Sequence, residues 1–317
     1  MTDKLKIILA EPRGFCAGVD RAIEIVERAL KLYGAPVYVR HEIVHNRWVV
    51  EDLRAKGVVF VQEVSEIPDG AITVFSAHGI SEKVENSAKL RDLPIIDATC
   101  PLVTKVHKEA QRYEAENRQI ILIGHAGHPE VEGTSGRVQN GVLLVQKVED
   151  VAKLDVKDHD RLSYVTQTTL SVDDTKDIIG ALKNRFPNIV GPELRDICYA
   201  TQNRQNAVRD LAKLVDVLLV VGSTNSSNSN RLRDLATEIG IVAYLVDDAK
   251  NLQPHWFDNI TSVGITAGAS APEHLVQGVV SAISTLRQTV IETLSGITEN
   301  TRFKLPPEVT GERRLKA

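Results

Sequence analysis

The 317-residue chain is poor in the features that usually announce a function. Its longest apolar run, Val217-Leu218-Leu219-Val220-Val221, is far short of the ~20 residues that span a bilayer, so no membrane partner is expected. Ile7-Ile8-Leu9-Ala10 is too short for a secretory signal core and is followed at once by charge. Net charge is only −4, and no basic cluster interleaved with aromatics is present, which argues against nucleic acid. Neither a glycine-lysine P-loop nor a Gly-x-Gly-x-x-Gly turn occurs, so nucleoside triphosphates and dinucleotides are poor candidates. Only three cysteines are present, an odd number that argues against a disulfide framework, and a cytoplasmic location is expected.

What is there is a soluble-enzyme composition, 43% apolar and 25% charged, in a chain long enough for two or three domains. Short apolar runs read as strands at Lys6–Ala10, Val37–Val39, Val58–Val61, Ile72–Phe75, Ile95–Ile96, Ile120–Ile123, Val142–Val145, Ser163–Val165, Val217–Val221, Ile241–Val246 and Ser262–Ile265. Helical spacing marks Val19, Ala22, Ile23, Val26, Ala29 and Leu30, then Val103, Val106, Ala110 and Tyr113, then Leu232, Leu235, Ala236 and Ile239. Strands alternating with helices predict parallel sheets with right-handed crossovers. Ser171 with Asp174, and Ser270 with Glu273, have the spacing of helix caps. Thr301–Pro307 is a candidate edge strand, and the basic terminus beyond it is expected to fray.

The plan repeats although the sequence does not. Three α/β segments, 1–97, 98–195 and 196–284, are followed by a helix end and tail at 285–317. Cys16, Cys100 and Cys198 recur about one segment apart, each at a strand-to-helix junction beside Gly, Pro or Thr rather than inside an apolar stripe. Three such units around a common centre would bring three thiols together. A three-cysteine site suits zinc, or an iron–sulfur cluster with one iron lacking a protein ligand. Any one cysteine could as readily be a buried, inert thiol, so it is the matched positions that carry the inference.

His45, His78 and His128 each follow a strand in loops containing Gly, Pro or Asn. Within Gly124-His125-x-x-His128-Pro129-Glu130 the glycines and Pro129 disfavour a helical zinc motif. His128 instead reads as a ligand-binding group, and Glu130 as a general acid beside a histidine-rich site. Ser226, Ser227 and Asn228 lie in a polar run between a buried strand and a helix, where hydroxyls, amides and backbone N–H groups suit an anion. Ser270 holds the equivalent place after another strand, and Thr168 is a further hydroxyl aimed inward from a strand end. A small phosphorylated molecule fits these groups.

Taken together the motifs resemble the 4-hydroxy-3-methylbut-2-enyl diphosphate reductase family. They run from Pro12-Arg13-Gly14-Phe15-Cys16-Ala17-Gly18-Val19 to Thr266-Ala267-Gly268-Ala269-Ser270. Between lie Glu42-Ile43-Val44-His45-Asn46, Ser76-Ala77-His78-Gly79, Asp97-Ala98-Thr99-Cys100-Pro101, the Gly124–Glu130 loop, Thr166-Gln167-Thr168-Thr169, Ile197-Cys198-Tyr199-Ala200-Thr201 and Ser226-Ser227-Asn228-Ser229-Asn230. The resemblance implies a pseudo-threefold trefoil of three α/β domains around a central [4Fe–4S] cluster with three protein ligands, Cys16, Cys100 and Cys198. It implies that His45, His78, His128, Ser226, Ser227, Asn228 and Ser270 hold the diphosphate of a small allylic substrate. Thr168 would bond the substrate hydroxyl, and Glu130 would protonate it as it leaves. A ferredoxin- or flavodoxin-type partner would supply two single electrons. A zinc-dependent hydrolase of a small phosphorylated metabolite and a non-catalytic phosphometabolite-binding protein are the rival expectations.

Overall fold

Strands and helices alternate as expected in the computed structural model, which describes residues 4–312 and 315. The strands are β1 (Leu5–Leu9), β2 (Val37–Arg40), β3 (Val58–Val61), β4 (Thr73–Phe75), β5 (Ile95–Asp97), β6 (Gln119–Ile123), β7 (Val142–Val145), β8 (Leu162–Thr166), β9 (Val217–Val221), β10 (Val242–Val246), β11 (Ser262–Ala267) and β12 (Thr289–Thr293). They form three parallel sheets, ordered β10-β9-β11-β1-β12, β3-β2-β4-β5 and β7-β6-β8. One motif recurs in all three. From β2, β6 or β9 the chain steps to a neighbour on one side, then crosses to a third strand on the other. Each motif therefore has a topological switch point between its first and third strands, where ligands bind in open α/β sheets.

The chain divides into two units. The first comprises residues up to Ala17, His45–Val49 and Tyr199–Arg302, and contains the five-stranded sheet. Its interior strand β1 is buried on both faces. Leu5, Ile7 and Leu9 pack with Leu219, Ile265 and Val279, while Ile8 and Ala10 pack with Leu211, Val220 and Leu232. A near-continuous apolar run suits such a central parallel strand. The strand expected to open the 1–97 segment thus joins the sheet of the last third of the chain, paired with β11 and β12. The late edge strand also differs from expectation. It is β12, at Thr289–Thr293, whereas residues 301–306 of the expected segment form no strand and a short helix, Pro307–Thr310, follows. Its polar, exposed face and the 2.8 Å Lys6–Glu292 pair across to β1 suit an edge. The expected fraying of the basic terminus falls on 313–317, mostly outside the described residues.

The second unit, Gly18–Val44, Val50–Cys198 and the residues from Phe303, holds the other two sheets. Alternation in β6 is read directly: Ile121 and Ile123 face a core with Tyr164, Ile178 and Phe186, while Ile120 and Leu122 face Val106, Ala110 and Tyr113. Those last three lie on the helix Pro101–Ala115, on the face marked by its periodicity. No helix among the described residues is long and apolar enough to cross a membrane.

Candidate active site

The three cysteines occupy equivalent places. Cys16 immediately precedes the helix Ala17–Tyr33, Cys100 caps the helix Pro101–Ala115, and Cys198 immediately precedes the helix Tyr199–Leu211. Each backbone N–H donates to the carbonyl of the residue two past a strand end: Cys16 to Ala269 after β11 (3.2 Å), Cys100 to Ala77 after β4 (3.0 Å) and Cys198 to Thr168 after β8 (3.0 Å). These are the third strands of the three recurring motifs. Every cysteine is thus pinned beside a switch point at a helix N-terminus, where the helix dipole favours an anionic sulfur. All are half-buried and no disulfide joins them.

In the second unit the structure brings Glu130 and Thr168 together. Glu130, only 2% exposed, accepts the Thr168 backbone N–H at 2.6 Å on one carboxylate oxygen and the Thr168 hydroxyl at 3.0 Å on the other. Burial pushes its carboxyl up to about 7, against the pull of the two Thr168 hydrogen bonds and with a smaller push from Asp196. A carboxyl poised near neutrality can both give and take a proton. His128 caps the helix Pro129–Ser135, its Nδ1 accepting the Glu130 N–H at 3.1 Å, so that the proton of a neutral ring sits on Nε2. The His78 and His128 rings stand perpendicular with centroids 5.9 Å apart. The His78 turn is held from behind by His107. A Cβ at Gly79, whose φ is +77°, would lie 2.6 Å from the His107 ring. Burial, helped by Arg137, pushes the His107 imidazole down to about 4, leaving it neutral at pH 7.

In the first unit the polar loops after β9 and β11 lock together. Ser226 caps the helix Ser227–Ile239, its hydroxyl oxygen accepting the Ser229 N–H and the Ser229 hydroxyl at 3.2 and 3.0 Å. Asn228 Oδ1 accepts the Ala269 N–H at 2.9 Å, next to the carbonyl that holds Cys16. Ser227 opens the helix. Ser270 does not form the expected capping box. Its hydroxyl donates to the His45 carbonyl at 2.8 Å, Pro272 takes the cap position, and Glu273 pairs with Arg13. With the cap at Pro272, Ser270 lies two residues outside the helix, and its hydroxyl binds the loop after β2 instead. So Cys16, His45, Asn228 and Ser270 are linked in this unit, and Cys100, Cys198, His78, His128, Glu130 and Thr168 belong to the other.

A family model described as LytB protein matches residues 7–284. The chain belongs to the LytB family. Among LytB relatives, "4-hydroxy-3-methylbut-2-enyl diphosphate reductase 2" of Bradyrhizobium diazoefficiens is 60% identical over 96% of this chain and 99% of its own length. "4-hydroxy-3-methylbut-2-enyl diphosphate reductase" of Cronobacter sakazakii is 58% identical over 98% and 99%. The solved "E-1-hydroxy-2-methyl-but-2-enyl-4-diphosphate reductase from Plasmodium falciparum" superposes with a TM-score of 0.93 at 40% identity, covering 98% of each chain. These relatives are reductases, which leaves the zinc-dependent hydrolase unsupported.

LytB membership implies an iron–sulfur cofactor, and the donor set fits one. Three soft sulfurs, unoxidised to disulfide, sit at equivalent helix N-termini. Among the described residues no three His, Cys, Asp or Glu side chains converge on a single metal ion. A cluster makes no such demand, because each thiolate binds a different iron. Sequence reasoning missed the residue that braces the Cys16 loop. Arg204, fully buried, donates to the Gly14 carbonyl at 2.7 and 3.0 Å, to the Phe15 carbonyl at 3.1 Å, and to the Glu299 carboxylate at 3.1 Å. Its helix, Tyr199–Leu211, went unread because its buried face mixes Thr201, Arg204 and Gln205 with Ala200, Ala207 and Val208. No apolar stripe was there to see.

Proposed function

We propose that this chain catalyses the reductive dehydroxylation of 4-hydroxy-3-methylbut-2-enyl diphosphate, the last step of the non-mevalonate isoprenoid route. Two electrons and two protons convert the substrate to isopentenyl or dimethylallyl diphosphate and water. The observation that carries this reading is the buried Glu130–Thr168 pair at a switch point, with its carboxyl poised near pH 7. Hydroxide is a poor leaving group, and a positioned acid lowers the cost of its departure. We assign Thr168 Oγ to the substrate hydroxyl and Glu130 to proton delivery, the threonine N–H holding the carboxylate in place after the proton has gone. A [4Fe–4S] cluster held by Cys16, Cys100 and Cys198 would supply one-electron chemistry and Lewis acidity when bound.

In the first unit, Ser226, Ser227, Asn228, Ser270 and His45 are the groups we assign to diphosphate. In the second, His78 and His128 offer ring N–H groups for the same chemistry. Diphosphate is remote from the reacting carbon, so its binding supplies orientation. A ferredoxin- or flavodoxin-type protein is the assigned electron donor, and the cytoplasm, where thiols stay reduced, the assigned compartment.

The test is metal and sulfide analysis of protein purified without oxygen, followed by an anaerobic reductase assay with dithionite and methyl viologen. Roughly four iron and four sulfide per chain, falling in air, with turnover of the allylic diphosphate, are expected. Stoichiometric zinc without sulfide, or no turnover after cluster reconstitution, would overturn the reading.

A further inference from the structure

The second unit carries a basic cleft that the reaction above does not use. Arg21, Thr99, Pro101, Lys105 and Lys108 line an open space of about 480 Å³. Two further cationic residues border it through their backbones: the Lys105 ammonium donates to the Arg195 carbonyl at 2.8 Å, and Arg21 Nε donates to the Lys304 carbonyl at 2.7 Å. Lys105, Lys108, Arg195 and Lys304 are all exposed. Two carboxylates lie nearby, Asp97 exposed in the lining and Asp196 buried. Asp97 accepts the Thr99 N–H at 2.8 Å, and the Asp196 side chain is fully buried against Lys105. In a chain of net charge −4, the lining cations Arg21, Lys105 and Lys108, with the exposed residues Arg195 and Lys304 bordering them, outnumber these two carboxylates and form a local positive field.

The cleft also lies one residue from a cysteine. Pro101 in its wall is bonded to Cys100, the Thr104 hydroxyl donates to the Cys100 carbonyl at 3.3 Å, and Arg21 Nη1 donates to the Thr99 carbonyl at 3.0 Å. A small anion is a weaker match than a protein. Lys105 and Arg21 already spend donors on backbone and Asp196, and Asp97 contributes a carboxylate to the lining. Spread, exposed positive charge is what steers a protein of opposite charge.

We infer that this cleft is the docking surface for a small acidic one-electron carrier protein. The inference rests on the reductase reading above. Each encounter oxidises the carrier by one electron and reduces the enzyme by one, and two encounters complete a turnover. The path into the protein runs through Pro101 and Cys100.

The test reverses charges that no catalytic assignment touches. K108E, K304E and their double variant are compared with K153E, a reversal at a lysine 71% exposed beyond the cleft lining. The holoenzyme is assayed with dithionite-reduced methyl viologen and with two acidic protein donors, a plant-type ferredoxin and a flavodoxin. Binding of each oxidised donor is titrated calorimetrically at low and high salt. For the double variant we expect about a tenfold loss of donor affinity and of donor-driven kcat/KM at low salt, shrinking as salt is raised. Viologen-driven turnover and K153E stay unchanged. Equal loss in K153E, unchanged donor binding in the double variant, or failure of both donors to bind the parent protein would overturn the inference. Should viologen-driven turnover be absent from the parent, the reductase reading falls, and the titration alone then decides the docking surface.

Discussion

Replacing Glu130 by Gln should change how stability depends on pH, independently of any cofactor. The folded carboxyl, at about 7, lies above its ordinary value of 4.5 because burial penalises the charged form. Between those values the folded protein keeps a proton that the unfolded chain has released. The stabilisation from that proton is complete below pH 4.5 and is lost as pH rises through 7. The gap, at about 1.4 kcal/mol for each tenfold change in proton concentration, corresponds to about 3 kcal/mol. The amide of the E130Q variant has no such proton to lose. Measured by urea unfolding from pH 4.5 to 8, the advantage of the parent over E130Q should therefore shrink by about 3 kcal/mol, with the steepest change midway between the two values and a levelling-off above 7. Asp196, also pushed up by burial, is present in both proteins and largely cancels in the difference. Difference infrared spectra should show a protonated carboxyl in the parent at pH 5 that is missing from E130Q. Parallel stability profiles, or a carboxylate already ionised at pH 5, would refute the reasoning.

Other perturbations read the scaffold. Arg204→Met strands Glu299 and releases the Gly14 and Phe15 carbonyls, which should cost about 3–5 kcal/mol in urea unfolding. Adding Glu299→Gln should recover part of that loss, and no recovery would argue against the ion pair as its cause. Gly268→Ala drives a methyl into Ser229, which is fully buried and bonded to Ser226, so KM for the allylic diphosphate should rise about tenfold at a stability cost of about 1–3 kcal/mol. Gly180→Ala, in a helix with nothing within 4 Å of the new methyl, should leave KM unchanged and add up to about 1 kcal/mol of stability.

Most strands were legible because parallel strands buried on both faces are written as unbroken apolar runs, as in Val217–Val221. β12 was not, since Thr289, Glu292 and Thr293 leave it only two exposed hydrophobic residues. The home of β1 was misplaced for a different reason: the run Ile7–Ala10 would suit any parallel sheet, and its partners are chosen by contacts distant in sequence. Individual site residues were readable from their loops, whereas the clamp of Thr168 on Glu130 depends on two strand ends meeting at a switch point. Ser270 shows the limit of local rules. Its spacing to Glu273 is that of a cap, yet its hydroxyl serves a loop far away in the chain.

The placement of β1 orders events during synthesis. Lys6 leaves the ribosome long before its partners Ser262 and Val290. Until then the strand has no neighbours, and the turn carrying Cys16 lacks the Ala267 and Ala269 carbonyls that fix it. Cys100 and Cys198 have their backbone partners, Ala77 and Thr168, much earlier. Any metal assembly that needs all three thiols in place is thereby postponed until β11 and the turn after it have emerged, and a chain that stops short of them would lack the fixed Cys16 turn.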